Sequence, residues 1–193
     1  MEQDTIAYKN IYYPPGGILM WIIITLELIT FGIALVVMVL YGNEEPELFH
    51  TSRLQLNASF GTANTIFLIT SGYFMAQSVQ LFKKSQERYA VQKLKLAILG
   101  GLLFLVLKGI EYYMKLDAGF TMGYNTFYSF YWMLTLFHVI HVIVGLVILY
   151  SIYIGARKKN HSLKLEDIEA GAAFWHMCDL IWLLLFPLIY LTF

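Results

Sequence analysis

Five apolar runs divide this chain, at roughly 17–41, 60–82, 94–114, 127–155 and 170–193. Each reaches the ~20 residues an α-helix needs to cross a bilayer core. A backbone in hydrocarbon has no water to bond, so only helices and closed barrels can span. The two-residue alternation of barrel strands is absent. The expected fold is therefore all-α: a polytopic bundle of five transmembrane helices forming a single membrane domain, 1–193. Composition agrees, with 13% charged residues against about 25% in soluble domains. The connections, 42–59, 83–93, 115–126 and 156–169, are too short to hold a further domain. The first run exceeds the ~7–15 residues of a signal-peptide apolar region, so it reads as a retained helix. No internal repeat is visible.

Lysine and arginine set the expected orientation. The 83–93 connection holds Lys83, Lys84, Arg88 and Lys93, with Lys95 next; the 156–169 connection holds Arg157, Lys158, Lys159 and Lys164. The 42–59 connection has Arg53 beside Glu44, Glu45 and Glu47, and 115–126 has only Lys115. The positive-inside rule then places the N-terminus in the cytoplasm and the C-terminus outside. Tyr12, Tyr13, Tyr41, Tyr112, Tyr113, Tyr124, Tyr128 and Tyr131 fall near run ends, where interfacial aromatic anchors sit. Pro14-Pro15-Gly16-Gly17 and Arg157-Lys158-Lys159-Asn160-His161 read as breaks, and Pro187 as a bend in the last helix.

Three acids and three histidines lie inside the runs: Glu27, Glu111, His138, His141, His176 and Asp179. An unpaired acid near a helix centre costs ~2.5–3.5 kcal/mol, so each of these marks a partner or a function. At ~1.5 Å of rise per residue, Glu27 and Asp179 lie ~15 and ~14 Å from the inner end of their runs. On the same scale His141 lies at ~21 Å, Glu111 and His138 at ~25 Å, and His176 at ~9 Å. Depth thus groups Glu27 with Asp179 and His141, and Glu111 with His138. The pairs His138/His141 and His176/Asp179 are each three apart and share a helix face. Trp175 and Trp182, seven apart, share one too, and all these stripes are expected to face the bundle interior. Lys108 precedes Glu111 by three, which allows a same-face ion pair or an outward-snorkelling lysine. Gly100-Gly101, Gly145 and Gly171-Ala172-Ala173 suit close helix packing.

Hydrogen-bonded pairs that hold the helices together are the first reading of these groups. Proton traffic is the second, with Glu27 as its best carrier. A haem or metal site is the third and weakest. Haem needs axial histidines across a gap, and no Cys/His spacing resembles a zinc or copper site. The single cysteine, Cys178, forms no internal disulfide and no metal cage. Nothing supports catalysis by the chain alone, since no nucleophile–base pair, phosphate-binding glycine loop or metalloprotease signature is present. Zero net charge and the absence of a basic block give no nucleic-acid partner.

Five pieces, in order, resemble subunit III of the haem–copper oxidases. They are the Trp21–Phe31 segment around Glu27, Asn64-Thr65 with Ser71-Gly72, and Lys108-Gly-Ile-Glu111-Tyr112, where the family has Gln-x-x-Glu-Tyr. Phe137-His138-x-x-His141-Val142-x-x-Gly145 follows, and then Glu169 with Trp175-His176-x-x-Asp179-x-x-Trp182. The longest family members have seven helices, and this chain is similar to the short five-helix type of bacterial quinol oxidases and some cytochrome oxidases. The lipid-holding cleft of the seven-helix members is then not expected within this chain, although bound phospholipid is. Phe127–Trp132 and Phe186-Pro187-Leu-Ile-Tyr190 resemble a sub-branch encoded with nitric-oxide reductases.

The resemblance implies a non-redox accessory subunit of a terminal oxidase in a bacterial inner membrane, multi-pass. Such a subunit carries no cofactor of its own, and haem and copper belong to partner subunits. It packs on subunit I, beside subunit II, supports proton uptake and protects the complex during turnover. Glu27 becomes the embedded carboxyl, hydrogen-bonded to a histidine of the fourth run, with His141 favoured by depth. His176 and Asp179 become bundle-core polar residues. Two alternatives stand beside this reading: an accessory subunit of a nitric-oxide reductase, and a small b-type cytochrome using His138 or His141 with His176.

Overall fold

A computed structural model describes residues 16–157 and 163–193. Tyr12, Tyr13, Pro14, Pro15 and the 158–161 part of the second basic break lie outside the described residues. The elements are α1 (Ile18–Glu44), α2 (Pro46–Leu54), α3 (Ala58–Lys83), α4 (Glu87–Asp117), α5 (Thr126–Arg157) and α6 (Leu165–Pro187). A π-helical turn, Leu188–Thr192, closes the chain.

The fold is all-helical among the described residues. Four helices, α1, α4, α5 and α6 with its π turn, are long and apolar enough to cross a membrane. α3 has 26 residues but a more polar composition, with Asn64, Ser71, Gln77, Ser78 and Gln80 along it.

Three boundaries differ from the sequence expectation. The 42–59 connection contains α2, which Pro46 opens at the first helical position, where its missing N–H costs nothing. The 83–93 connection shrinks to a turn around Lys84–Gln86, because α4 begins at Glu87. Ser85 takes φ 57° there, the turn's one left-handed residue. α6 begins at Leu165, five residues early, with the Asp167 carboxylate accepting the Lys164 backbone N–H at 3.1 Å. Charge defeated the apolarity criterion at both helix starts, since a solvated first turn tolerates charge and acids there complement the helix dipole.

The five long helices, α1, α3, α4, α5 and α6, alternate in direction. The Ser71 and Ser78 hydroxyls of α3 donate to the Ala97 and Ala90 carbonyls of α4, at 2.6 and 2.9 Å. Two tryptophan rungs tie α6 to α3. Trp175 Nε1 donates to Ser71 Oγ at 3.0 Å, and Trp182 Nε1 to Thr65 Oγ1 at 2.9 Å. Later residues of α6 thus meet earlier residues of α3, as antiparallel packing requires. Gly101 and Gly145 make room for the Trp175 indole, since a Cβ there would lie 2.6 and 2.8 Å from its ring. At one end Gly16, with φ 83°, lies against the Ala170 backbone; at the other, Gly42 meets Phe193. α1 and α6 therefore run parallel.

α2 caps the second end. Asn125 Nδ2 donates to Ser52 Oγ at 2.9 Å, and Tyr128 OH to Gln55 Oε1 at 3.2 Å. Lys115 Nζ donates to the Gln55 carbonyl at 2.5 Å. At the first end Lys83 of α3 pairs with the buried Glu169 of α6 at 2.8 Å. Tyr128 and Tyr131, expected as interfacial anchors, are fully buried, whereas Tyr41, Tyr113 and Tyr124 are exposed. Phenol groups that find partners inside a bundle have no reason to sit at its rim.

Candidate functional site

The six ionisable residues separate into three clusters and one isolated histidine. The first cluster joins α1 to α5. His141 Nε2 lies 3.2 Å from Glu27 Oε2. His141 Nδ1 lies 2.7 Å from the Phe137 carbonyl, one turn back. A carbonyl only accepts, so Nδ1 carries the proton and donates. Nε2 then faces the Glu27 carboxyl. Phe31 and Phe137 pack against the imidazole, with ring centroids at 5.6 and 4.6 Å. The Glu27 side chain keeps 27% exposure, so this carboxyl–imidazole pair opens on the surface of the bundle.

Around α4 lies the second cluster. Lys108 Nζ and Glu111 Oε2 are 2.9 Å apart, and both side chains are sealed from the surroundings. Lys108 pairs rather than snorkels. Tyr190 OH and Tyr131 OH donate to Glu111 Oε1 at 2.6 and 3.0 Å. Lys108 Nζ also donates to Tyr190 OH at 2.8 Å. The ammonium lies 5.0–5.4 Å from the ring centroids of Tyr131, Tyr112, Trp182 and Tyr190, within cation–π range. Pro187 makes this possible. It has no N–H for the helix ladder, α6 stops there, and the wider π turn carries Tyr190 into the cluster.

His138 does not join Glu111, despite equal depth. It is fully buried, stacks on Trp182 at 5.4 Å and meets Phe104 and Phe31 edge-on at 5.7 and 6.4 Å. Neither ring nitrogen has a hydrogen-bond partner among the described residues. Depth fixes one coordinate of a side chain, and azimuth around the helix separates these two.

The third cluster is His176 Nδ1 with Asp179 Oδ2, 3.3 Å apart on α6. Asp179 lies against Gly72 of α3, not beside Glu27. His176 was expected inside the bundle, yet its side chain is 44% exposed. Trp175 and Cys178 take the inward positions, leaving His176 at the edge of the stripe. Sequence reasoning missed Tyr131 and Tyr190 as partners of Glu111; the tyrosine three residues beyond Pro187 was the available signal. Among the described residues, no three His, Cys, Asp or Glu side chains come close enough to hold a metal ion.

Comparison with known proteins adds the identity of the fold. Wheat (Triticum aestivum) cytochrome c oxidase subunit 3 is 34% identical over 131 residues, covering 66% of this chain and 47% of that protein. The carp (Cyprinus carpio) protein of the same name is 33% identical over 132 residues, covering 66% and 48%. The chain spans about half the length of the curated relatives it matches. The family model for cytochrome c oxidase subunit III matches residues 54–192, from the end of α2 through the π turn. That match takes in the Lys108–Glu111 cluster, both tryptophan rungs and the His176–Asp179 pair, and the chain belongs to the cytochrome c oxidase subunit III family.

Proposed function

We propose that this chain is the non-redox accessory subunit III of a haem–copper terminal oxidase, packing on the catalytic subunit and supporting proton uptake and stability during oxygen reduction. The observation that carries this reading is the Glu27–His141 pair. It is a carboxyl–imidazole contact of 3.2 Å between α1 and α5, with the Glu27 side chain partly exposed at the surface of the bundle. A carboxyl–imidazole pair can take up and release a proton with no electron transfer in this chain. Haem and copper belong to the partner subunits. The cytochrome alternative loses support because the rings of Phe31, Phe104 and Trp182 enclose His138, while His176 lies at the surface.

In this reading five helices cross the membrane, including α3. α1 and α4 both end at the side capped by α2, so α3 returns between them. The basic residues Lys83, Lys84, Arg88, Lys93 and Lys95 gather at the opposite end, and under the positive-inside rule they support a cytoplasmic setting for that end. The N-terminus is then inside and the C-terminus outside, in a bacterial inner membrane. Support for the bacterial setting is the resemblance to the short five-helix type.

Purification from the native membrane in mild detergent, followed by a reduced-minus-oxidised spectrum, tests the proposal. A co-purifying subunit with haem and copper, and a colourless chain once stripped of partners, is the expected result. A haem band retained by the isolated chain overturns it. Recovery with a haem and non-haem-iron subunit that reduces nitric oxide moves the chain to the nitric-oxide reductases.

A further inference from the structure

The bundle has faces of two kinds. The exposed middles of α1 (Ile29, Ile33), α4 (Leu99, Val106) and α5 (Ile140, Val144) are apolar. The exposed hydroxyls of Thr25 and Thr30 on α1 are already bonded to the Trp21 and Leu26 carbonyls at 2.8 and 2.9 Å. Glu27, on the α1–α5 side, is paired with His141. Such faces suit lipid.

The face shared by α3 and α6 also exposes Ile66, Ile69 and Leu180, but it adds polar groups at mid-helix. Thr70 and Tyr73 are exposed at the middle of α3, with Gln77 one turn beyond Tyr73 on the same arc. Gln77 Nε2 donates to Tyr73 OH at 2.6 Å, while Gln77 Oε1 is buried without a partner. Gly72 brings α6 against this arc, because a Cβ on it would meet Asp179 and lie 3.4 Å from His176 Nδ1. His176 stands 44% exposed there, and Asp179 Oδ1 is buried with no partner. His176 lies ~16 Å along α6 from Leu165 at ~1.5 Å per residue, well inside the span. Ionisable groups at that depth face a bundle interior or another protein rather than acyl chains.

We infer that the α3–α6 face, centred on His176 and Asp179, is where this chain docks against a membrane-spanning helix of a partner subunit that offers hydrogen-bonding side chains level with His176. Polar side chains drive helix association in a membrane because hydrocarbon gives them no alternative partner. The exposed His176 imidazole and the exposed Tyr73 and Thr70 side chains present polar groups that a lipid-facing helix has no use for. The inference rests on the accessory-subunit reading for the existence of a partner and adds which face meets it.

A photoreactive phenylalanine analogue placed in turn at Tyr73, Leu180, Ile33 and Val144, in the complex within its native membrane, tests this. Tyr73 and Leu180 are expected to cross-link to a membrane segment of another subunit, and Ile33 and Val144 to lipid. His176→Leu is expected to reduce recovery of the chain with its partner about threefold, the scale of one interhelical hydrogen bond. Cross-links from Tyr73 and Leu180 to lipid, or to a second copy of this chain, overturn the inference. If a haem-bearing partner still co-purifies in that case, the accessory-subunit reading stands while the assigned face is wrong. If no such partner co-purifies, that reading fails on its own.

Discussion

Lys108 and Glu111, one turn apart on α4, form a 2.9 Å ion pair that is closed off by Tyr131, Tyr190 and Trp182. The pair joins three elements around two charges, since Tyr131 comes from α5 and Tyr190 from the π turn. Neither charge is tolerable there alone. Removing one partner of a buried pair costs about 3–5 kcal/mol because the other charge stays buried and uncompensated. Glu111→Gln is therefore expected to lower the thermal stability of the purified protein by that order. Lys108→Met combined with Glu111→Gln is expected to recover much of the loss. Equal melting of the single and double variants would show that the lysine finds another acceptor.

Tyr190 tests the role of Pro187. Its hydroxyl donates to Glu111 at 2.6 Å and accepts from Lys108 at 2.8 Å, so it bonds to both charges. Tyr190→Phe removes both bonds and is expected to cost about 1.5–3 kcal/mol, the range for hydrogen bonds to charged groups. Tyr131→Phe, with a contact to Lys108 of 3.4 Å and to Glu111 of 3.0 Å, is expected to cost less. Pro187→Ala lets the α-helix ladder continue and is expected to act in the same direction as Tyr190→Phe. Melting in detergent, read by tryptophan fluorescence, ranks the three variants.

The five long helices were legible in the sequence from apolarity and length, whereas the short, polar α2 was not; the tryptophan stripe of Trp175 and Trp182 was legible from its spacing. The starts of α4 and α6 were not, because their first turns are charged and solvated. Pairings within a helix were legible from spacing alone. Lys108–Glu111 and His176–Asp179 follow from a spacing of three. Between helices, depth gave His141 to Glu27 but also gave His138 to Glu111, and azimuth allows only the first. His176 shows the same limit on one helix. Positions three apart differ by about 60° around the axis, enough to hold Asp179 under Gly72 while His176 reaches the surface.

The Trp175 rung joins three helices through one hydroxyl. Ser71 Oγ accepts from Trp175 Nε1 at 3.0 Å and donates to the Ala97 carbonyl at 2.6 Å. Ser71→Ala is expected to cost about 0.6–1.7 kcal/mol, as measured for hydrogen bonds between membrane helices. Gly145→Val is expected to cost more, since even a Cβ would lie 2.8 Å from the indole and overpacking of a filled interior costs about 1–3 kcal/mol. Thermal melting that places Ser71→Ala below Gly145→Val in stability would contradict this order.

Glu27→Gln separates proton handling from assembly. With Nδ1 of His141 donating to the Phe137 carbonyl, a neutral His141 presents Nε2 as an acceptor. The amide of a glutamine can donate to that nitrogen, so the link between α1 and α5 survives, but the amide has no proton to release. The variant is expected to assemble with its partner subunits at the level of the native chain and to change proton uptake only modestly. Glu27→Leu removes the donor and the proton together, and is expected to weaken the seating of α1 as well. Yield of the haem-bearing complex and protons taken up per electron separate the two effects. If Glu27→Gln abolishes assembly, the contact is a structural tie whose strength depends on the carboxyl itself, and proton traffic is not its role.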